Sequence, residues 1–547
     1  MPERVLRGRA ASPGVAIGPL VRLPRLEMAP AQATVTRRGE HLVIREQVEP
    51  VAERARLEAA IEQARAELAA LAAASEGMGA DILEFQLALL EDPALVEEAL
   101  DSIARGSSAP WAWAHTLFVQ TMAYEDSEDE YFQARASDLR DVEQRVARAL
   151  GGVETSPPPM LPGGVLVAED LAPSSFLGLD WSVLGGIALE RGSPSSHVAM
   201  LARARGVPMA TNLGEVPESG EAALDGEAGM LVVRPEAATR TRYLARLEER
   251  RREDAEASAR LTGPAVTADG VRIEVMLNID DPAAVGDDLL AAADGVGLFR
   301  TELLFLNRPE LPDENEQCRA YGGLLERLRG KPCIVRTLDI GGDKPLPGLG
   351  LPEEANPFLG LRGLRLCLER PELFRPQVRA LLRAAVRGPL KVMLPMVATA
   401  AELAEARAVF AACLAELLAE GAEARLPPLG IMVETPAAAI TIDLIPADFL
   451  SIGSNDLTQY VMAASRDGEG RVGALNDPLQ PAVLRLIGQV VRHGLTAGVP
   501  VSLCGDMASE PAGAAALLGL GLRRLSVAPA ALGRVKQAVA RFGAGDG

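Results

Sequence analysis

The sequence predicts a multidomain α/β protein in which a helical insertion interrupts a small N-terminal α/β unit and a C-terminal (β/α)8 barrel follows. Three observations carry this prediction. Residues 30–150 show helical periodicity, short apolar runs flank that segment on both sides, and residues 265–547 repeat an apolar run followed by a helical stretch. The length of 547 residues is enough for about two to four domains.

The N-terminal half contains the predicted insertion. Residues 1–25 alternate apolar and small residues, which is typical of a short strand and a turn. In residues 51–74, apolar side chains recur three and four positions apart, and this spacing predicts an amphipathic helix. The SPPP run at 156–159 ends the helical pattern, and strand-like runs resume up to about residue 235. Further helices are predicted at 80–90, 93–105, 111–124 and 131–150.

The C-terminal half has the alternation of a β/α barrel. Residues 240–260 are dense in charge, which predicts a solvated connecting helix. From residue 271 onward, eight apolar runs each lead into a polar or glycine-rich end and then a helical stretch, as in a (β/α)8 barrel. The eight runs are RIEVMLNI, GVGLFRTE, CIVRTLDIG, KVMLPMV, LGIMVETP, FLSIGSND, PVSLCGDM and RRLSVAP.

Charge and cysteine usage restrict the classes of function. Lys and Arg number 55 against 75 Asp and Glu, which gives a formal net charge of −20. This balance disfavours nucleic acid and anionic lipid as partners and suits a basic protein, although acidic surfaces also aid solubility. Five cysteines without a CxxC pair disfavour disulfides and structural zinc. The sequence shows no signal-peptide pattern and no apolar run of about 20 residues, so we expect a cytoplasmic protein without membrane insertion.

Reactive side chains follow several of the predicted barrel strands. The carboxyl ends of all strands in such a barrel meet at one face, so we expect these side chains to share a site. Arginines form a receptor for phosphate and carboxylate oxygens, and Glu434 with Asp456 offers hard ligands to one Mg²⁺. The alternative is a set of structural ion pairs around the rim. The candidate residues at these ends are Arg300, Arg336, Glu434, Asn455, Asp456, Arg466 and Cys504.

A thiol and an imidazole are candidates for proton and phosphoryl chemistry. Cys504 is the one cysteine placed at the predicted barrel mouth, where it is either a general acid or base or a small core residue. His197 follows a loop of small residues and opens a helical stretch, so its imidazole lies at a helix N-terminus, which favours phosphate. It is therefore either a nucleophile or a helix-capping histidine. His115 is expected to be packed within its helix.

Taken together, these motifs resemble those of a known family. The loop SPSSHVAMLARARGVP is similar to the phosphohistidine signature of the phosphoenolpyruvate-utilising enzymes, and FLSIGSNDLTQY is similar to their second signature. The runs DGVGLFRTELLFLNR, VRTLDIGGDKPLP, NPFLGLRGLRL, LGIMVETPAA and SLCGDMASEP are similar to the enzyme I family of the bacterial phosphotransferase system. The resemblance extends from about residue 11 to residue 531.

The resemblance implies an activity, a cofactor and partners. The protein would take a phosphoryl group from phosphoenolpyruvate with Mg²⁺, release pyruvate and pass the group to the HPr carrier, which is the first step of sugar uptake by this system. The helical insertion would dock HPr, and the barrel would form a homodimer. The implied residues are His197 as the tele-phosphorylated histidine, Cys504 as proton donor, Arg300, Arg336, Asn455, Asp456 and Arg466 for the substrate, and Glu434 and Asp456 for the metal.

The resemblance also implies domain boundaries. Residues 1–29 and 151–237 would form the phosphohistidine α/β domain, and residues 30–150 would form the HPr-binding insertion. Residues 238–264 would be a linker helix, and residues 265–547 the phosphoenolpyruvate-binding and dimerisation barrel. Because the histidine and the substrate residues fall in different domains, we expect a hinge in the linker.

Two positions depart from the family pattern. Ser193 stands where the family usually has a second glycine, and it would be strained if the loop required a positive φ there. Ala464 and Ser465 precede Arg466 where an acidic neighbour is usual. Neither departure removes a reacting group, but we expect both to affect the rates of phosphoryl transfer and the choice of carrier protein.

Three other functions compete with this interpretation. The first is a regulatory phosphorelay component whose phosphorylation state is the output. The second is a pyruvate phosphate dikinase or phosphoenolpyruvate synthase, which needs a nucleotide-grasp module that we do not find ahead of the histidine. The third is an inactive scaffold, which the presence of every expected reacting residue argues against.

Overall fold

The apolar runs and amphipathic stretches become strands and helices of two units, Met1–Arg250 and Arg251–Gly547. The α/β class with a C-terminal barrel is therefore confirmed. The computed structural model describes residues 3–23, 34–38, 41–45, 49–75, 78–125, 130–151, 161–194, 196–305, 311–341, 354, 356–465 and 470–543.

The first unit is built on a mixed sheet. Its strands are β1 (Arg4–Arg7), β2 (Arg9–Ser12), β3 (Val15–Arg22), β4 (Thr34–Arg38), β5 (His41–Arg45), β6 (Val165–Ala168), β7 (Gly186–Leu189), β8 (Met209–Thr211), β9 (Glu221–Asp225) and β10 (Met230–Val233). The eight-stranded sheet has the order β1-β10-β9-β3-β6-β7-β8-β2. The central strands β3, β6, β7 and β8 run parallel, and the apolar strands β6 and β7 are buried along their whole length.

Helices of the first unit form a bundle and cover the sheet. They are α1 (Pro50–Ala73), α2 (Met78–Glu91), α3 (Pro93–Ala104), α4 (Ala109–Glu125), α5 (Glu130–Gly151), α6 (Pro173–Leu177), α7 (His197–Arg205) and α8 (Ala237–Arg260). The predicted apolar stripe of α1 is buried, including Leu57, Ala64 and Leu68. The charged connecting segment is helical, as predicted, in α8.

The insertion is not helical from its first residue. Strands β4 and β5 form an antiparallel hairpin that pairs Thr34 with Arg45 and Arg38 with His41. The prediction of helix from residue 30 onward is therefore wrong at this end, and the described helices begin at Pro50. The sequence of both strands is rich in β-branched residues, which lose side-chain freedom in a helix and favour strands.

The second unit is a closed barrel. Its strands are β11 (Ala265–Val266), β12 (Arg272–Ile279), β13 (Val296–Phe299), β14 (Cys333–Arg336), β15 (Leu390–Leu394), β16 (Leu429–Val433), β17 (Leu450–Ile452), β18 (Val501–Leu503) and β19 (Arg524–Val527). Strands β12 to β19 are parallel neighbours in sequence order, and β19 pairs with β12 to close the cylinder. All eight predicted barrel strands are confirmed.

Helices surround this cylinder. They are α9 (Asp287–Ala292), α10 (Glu314–Arg327), α11 (Leu364–Glu369), α12 (Pro371–Ala384), α13 (Ala400–Ala419), α14 (Pro436–Ile440), α15 (Ser454–Met462), α16 (Gly470–Gly473), α17 (Pro481–Ala497), α18 (Pro511–Gly519) and α19 (Leu532–Arg541). Among the helices of the described residues, none combines the length and the apolar character needed to cross a membrane.

The barrel has two apolar layers. One large cluster joins the outward faces of the strands to the surrounding helices. A smaller cluster lies inside the cylinder and takes its side chains from β13 to β16 and from residues that flank β17 and β18. Its members are Leu298, Ile334, Met393, Met432, Phe449 and Cys504. The interior is thus packed below the carboxyl ends of the strands.

Two lysines of the barrel unit each donate hydrogen bonds to backbone carbonyls in and around helix α9. The Lys536 Nζ, on a side chain that is 3% exposed, donates to three carbonyl oxygens at 2.7 Å each. The acceptors belong to Leu261, Gly263 and Ala292. Lys331 also donates to three carbonyl oxygens, but its side chain is half-buried.

We expect Lys536→Met to lower the free energy of unfolding of the barrel by about 2–4 kcal/mol, because buried carbonyls lose their donor. Denaturant titration followed by circular dichroism measures the loss. Lys331→Met is the matched control and should cost less, since water replaces the ammonium group there. Equal losses for the two variants would contradict this account of Lys536.

Candidate active site

A cavity of about 310 Å³ opens at the carboxyl end of the barrel strands. All eight strands run parallel, so their last residues and the following loops meet at this face. Arg466 lies outside the described residues. The cavity brings together six of the predicted residues, Arg300, Arg336, Glu434, Asn455, Asp456 and Cys504.

Arg336, the last residue of β14, is buried between two carboxylates. Its Nη2 donates to Glu302 Oε1 at 2.7 Å, and its Nη1 lies 3.0 Å from Asp339 Oδ2. Burial alone would lower the pKa of this guanidinium, but Glu302, Asp339 and Glu434 together raise it. The group is a fixed cation at the floor of the cavity.

Arg362 is a second buried cation, and it was not among the residues predicted from the sequence. Its Nη2 lies 3.2 Å from Asp339 Oδ2, and its Nη1 lies 3.3 Å from both Asp456 Oδ1 and the Tyr460 hydroxyl. Burial opposes its charge, while Asp339 and Asp456 raise its pKa. The only sequence sign of its role was its place in the family-like run NPFLGLRGLRL.

Arg300 and Asn455 lie at the rim of the cavity. The Arg300 guanidinium, just beyond β13, lies 2.9 Å from Asp280 Oδ1 and is partly exposed. The Asn455 side chain is tied to the next loop: its Nδ2 donates to Asp506 Oδ2 at 2.7 Å, and its Oδ1 accepts the Asp506 N–H at 3.0 Å. Both side chains are therefore held at the mouth and not folded away from it.

Glu434 and Asp456 bring two buried carboxylates to adjacent strand ends. Glu434 Oε1 accepts the N–H of Met396 at 2.6 Å. Burial, and then the charges of Asp456 and Asp339, raise the pKa of Glu434 well above its ordinary value. A side chain on Gly453 would approach Glu434 Oε2 to 2.9 Å, so the glycine keeps this space open. A divalent cation bound beside these two carboxylates would oppose the rise in the pKa of Glu434.

Cys504 follows β18 and is buried at the cavity wall. Its backbone is fixed by the Asn278 amide, which donates to the Cys504 carbonyl at 3.0 Å. Burial is the main influence on the thiol and raises its pKa. The thiol therefore keeps its proton at neutral pH, as a proton donor requires.

His197 opens α7 in the first unit, as predicted. The Ser196 hydroxyl caps this helix and accepts the N–H of Ala199 at 3.3 Å. The imidazole Nδ1 lies 3.5 Å from Asp138 Oδ1 on α5. Asp138 was missed by the sequence analysis, because nothing in the pattern of a helix far along the chain shows that it faces the histidine loop.

The backbone of the loop before His197 shows whether Ser193 is strained. Positive φ falls on Gly192, at 100°, and Ser193 is not among the residues with positive φ. Only glycine adopts such a conformation at little cost. The substitution at 193 therefore introduces no backbone strain.

Helix α4 presents an apolar surface. Trp111 and Phe118 are 52% and 62% exposed. His115 is also exposed and stacks on Trp111 with the ring centroids 4.7 Å apart, so the prediction that it is packed within the helix is wrong. The helical spacing of the sequence identifies the apolar face of α4, but it does not show whether that face is buried or exposed. A cavity of about 430 Å³ on this surface is lined by Trp111, Ala114, His115, Phe118, Thr121, Met122, Arg140 and Glu143.

Comparison with known proteins places these features in one family. The model of the phosphoenolpyruvate-binding domain of phosphoenolpyruvate-utilising enzymes matches residues 254–543. The models of the N-terminal domain and the mobile domain of the same enzymes match residues 7–135 and 160–229.

Similar proteins cover nearly the same length. A phosphoenolpyruvate-protein phosphotransferase of Geobacillus stearothermophilus is 40% identical, over 96% of this chain and 91% of its own length. A protein of the same name from Haloferax volcanii is 44% identical, over 85% of this chain and 83% of its own length. The chain belongs to the family of phosphoenolpyruvate-utilising enzymes.

Proposed function

We propose that this protein is a phosphoenolpyruvate–protein phosphotransferase. It transfers the phosphoryl group of phosphoenolpyruvate to its own His197, releases pyruvate and passes the group to an HPr-type carrier in the first step of sugar uptake. The observation that carries this proposal is the arrangement of guanidinium groups beside two buried carboxylates at the barrel mouth. The relatives named above bear the name of this activity.

Phosphoenolpyruvate carries a phosphate and a carboxylate, and the cavity offers cations for both. Arg336 and Arg362 are buried and oriented by acidic neighbours, so little side-chain entropy is lost when they meet the substrate. Arg300 at the rim is free to exchange the exposed Asp280 for a substrate oxygen. Asn455 lies beside them, and we assign Arg466 to the same role by resemblance.

Glu434 and Asp456 fit a magnesium ion. Both are hard oxygen ligands and both are buried at adjacent strand ends, where a small divalent cation could meet them. Among the described residues, no three His, Cys, Asp or Glu side chains form a metal cage, which agrees with the preference of Mg²⁺ for few carboxylates plus substrate oxygens. When bound, the ion supplies Lewis-acid stabilisation of phosphate and enolate oxygens.

Proton transfer completes the reaction. Loss of the phosphoryl group leaves the enolate of pyruvate, whose methylene carbon must gain a proton. The Cys504 thiol lines the cavity and holds its proton because burial raises its pKa. We assign it as the general acid that protonates this carbon.

Carrier docking is assigned to the apolar surface of α4. The exposed aromatic side chains of Trp111 and Phe118 border a cavity whose rim carries Arg140 and Glu143. Aromatic anchors with a polar rim are typical of protein interfaces. We propose that the HPr-type carrier covers this surface, and that residues 30–150 are its binding domain.

The remaining domain assignments follow the family. We propose a phosphohistidine domain of residues 1–29 and 151–237, a linker at 238–264, and a barrel of residues 265–547 that also forms a homodimer. Ile440 and Leu444, between β16 and β17, are 57% and 67% exposed and give the barrel an apolar surface for a second copy.

Incubation with ³²P-labelled phosphoenolpyruvate and Mg²⁺ should attach an acid-labile, base-stable label, and His197→Ala should abolish it because the acceptor nitrogen is lost. His493→Ala is the control and should be labelled as the wild type is. Chelation of Mg²⁺ should slow the labelling. Label that persists in His197→Ala would overturn the proposed function.

Cys504→Ala should slow the exchange of pyruvate methyl protons with D₂O by at least about 100-fold, because a positioned general acid contributes that much. Proton NMR of the methyl signal, with Mg²⁺ present, follows the exchange. Cys367→Ala removes another buried thiol of the barrel and should leave the rate unchanged. Exchange at the wild-type rate in Cys504→Ala would exclude the thiol as donor.

Phe118→Ala should weaken binding of an HPr-type carrier about tenfold, because an aromatic anchor is lost. Titration calorimetry measures the affinity, and labelling by phosphoenolpyruvate should be unaffected. Val119 is the matched control: it is exposed on the same helix but does not line the cavity. If Val119→Ala weakens binding as much, the docking surface is assigned wrongly.

A further inference from the structure

The Nδ1 atom of the His197 ring is buried. The side chain is 11% exposed, but Nδ1 has no contact with solvent and no hydrogen-bond partner. The Asp138 Oδ1 lies 3.5 Å from it. A phosphoryl group therefore has no route to Nδ1, and only Nε2 remains as an acceptor.

Asp138 is held firmly in this position. Its side chain is 0% exposed. Arg135 Nη1 lies 3.1 Å from Oδ2 and balances the charge of the carboxylate where water is absent. Gln86 Nε2 lies 3.5 Å from Oδ1 and donates to Asp141 Oδ2 at 3.0 Å. Oδ1 is thus left facing the imidazole.

Asp141, one turn further along α5, accepts hydrogen bonds from Gln86 and Ser174 and so links the network to helix α6. It accepts the N–H of Ser174 at 2.8 Å and the Ser174 hydroxyl at 2.7 Å. Arg145 donates to the same hydroxyl at 2.7 Å. Two helices of the bundle and helix α6 of the α/β part therefore hold the carboxylate that faces the histidine.

We propose that Asp138 is a positioning residue that selects the tautomer of His197: its carboxylate accepts the Nδ1–H, and Nε2 keeps the lone pair that attacks phosphorus. This rests on the proposed function of His197 as phosphoryl acceptor. A separation of 3.5 Å is long for a hydrogen bond, and such contacts shorten in the reacting complex. As phosphorus binds, the ring gains positive charge beside the carboxylate, which strengthens the contact.

The step balances in atoms and electrons. The Nε2 lone pair forms the N–P bond, and the bond from phosphorus to the bridging oxygen of phosphoenolpyruvate breaks. That oxygen keeps the electron pair and becomes the enolate oxygen of pyruvate. The Nδ1 proton stays on the ring throughout. In the other tautomer the proton occupies Nε2, so the accessible nitrogen has no lone pair to offer.

Two substitutions of Asp138 distinguish an effect on the His197 tautomer from a general effect on the stability of the protein. In Asp138→Asn the amide can donate to Nδ1, which favours the unreactive Nε2–H form, whereas Asp138→Ala has no preference. Two-dimensional ¹H–¹⁵N NMR of protein that carries ¹⁵N-labelled histidine identifies the tautomer of the ring directly. We expect the Nδ1–H form in the wild type and the Nε2–H form in Asp138→Asn. Labelling from phosphoenolpyruvate should fall at least about 100-fold in Asp138→Asn, and less in Asp138→Ala.

Asp225→Asn is the matched control. It removes another buried carboxylate of the same unit, on β9, which accepts the Ala228 N–H at 3.0 Å and pairs with Arg246 and not with His197 or Asp138. It should keep the Nδ1–H form and a labelling rate within a few-fold of the wild type. The proposal is overturned if Asp138→Asn keeps the Nδ1–H form or labels at the rate of Asp138→Ala. Absence of label in the wild type would instead refute the proposed function, and the NMR result would still stand.

Discussion

Mutual neutralisation of buried charges at the barrel mouth is the interaction on which the site depends. Asp339 is shared by Arg336 and Arg362, and Arg362 in turn reaches Asp456. Each ion is tolerable in the interior only because of the next, since removal of one partner leaves an uncompensated charge. These linked ion pairs fix the cations that face the cavity. Asp339 and Asp456 also act on the neighbouring Glu434, and together with burial they raise its pKa.

The barrel was predictable because its signal is local and repeated. Each strand is a short apolar run with a reactive end, and parallel closure brings those ends to one face. Arg362 was not predictable in this way, because it follows β14 by 26 residues and belongs to no strand end. The exposure of the apolar face of α4 could not be predicted either, because helical periodicity identifies an apolar face but does not show whether other residues cover it.

The helical insertion contributes more than a surface to the first unit. Its helix α5 supplies Asp138 to the histidine loop, and α2 supplies the glutamine behind it. The surroundings of His197, the proposed phosphoryl acceptor, are therefore assembled from segments far apart in sequence, and the pattern of α5 alone did not reveal this contact. By contrast, the cap of α7 could be predicted, because serine before a helical run is a local signal.

Closure of the barrel has a consequence for biosynthesis. Strand β12 pairs with β19, so the first strand of the cylinder waits for a partner 250 residues later in the chain, where Glu274 meets Arg524. Such high contact order slows folding, and a nascent barrel keeps an unpaired edge until β19 has been synthesised. The strands of the eight-stranded sheet in the first unit lie between Arg4 and Val233, so all of them are synthesised before β12.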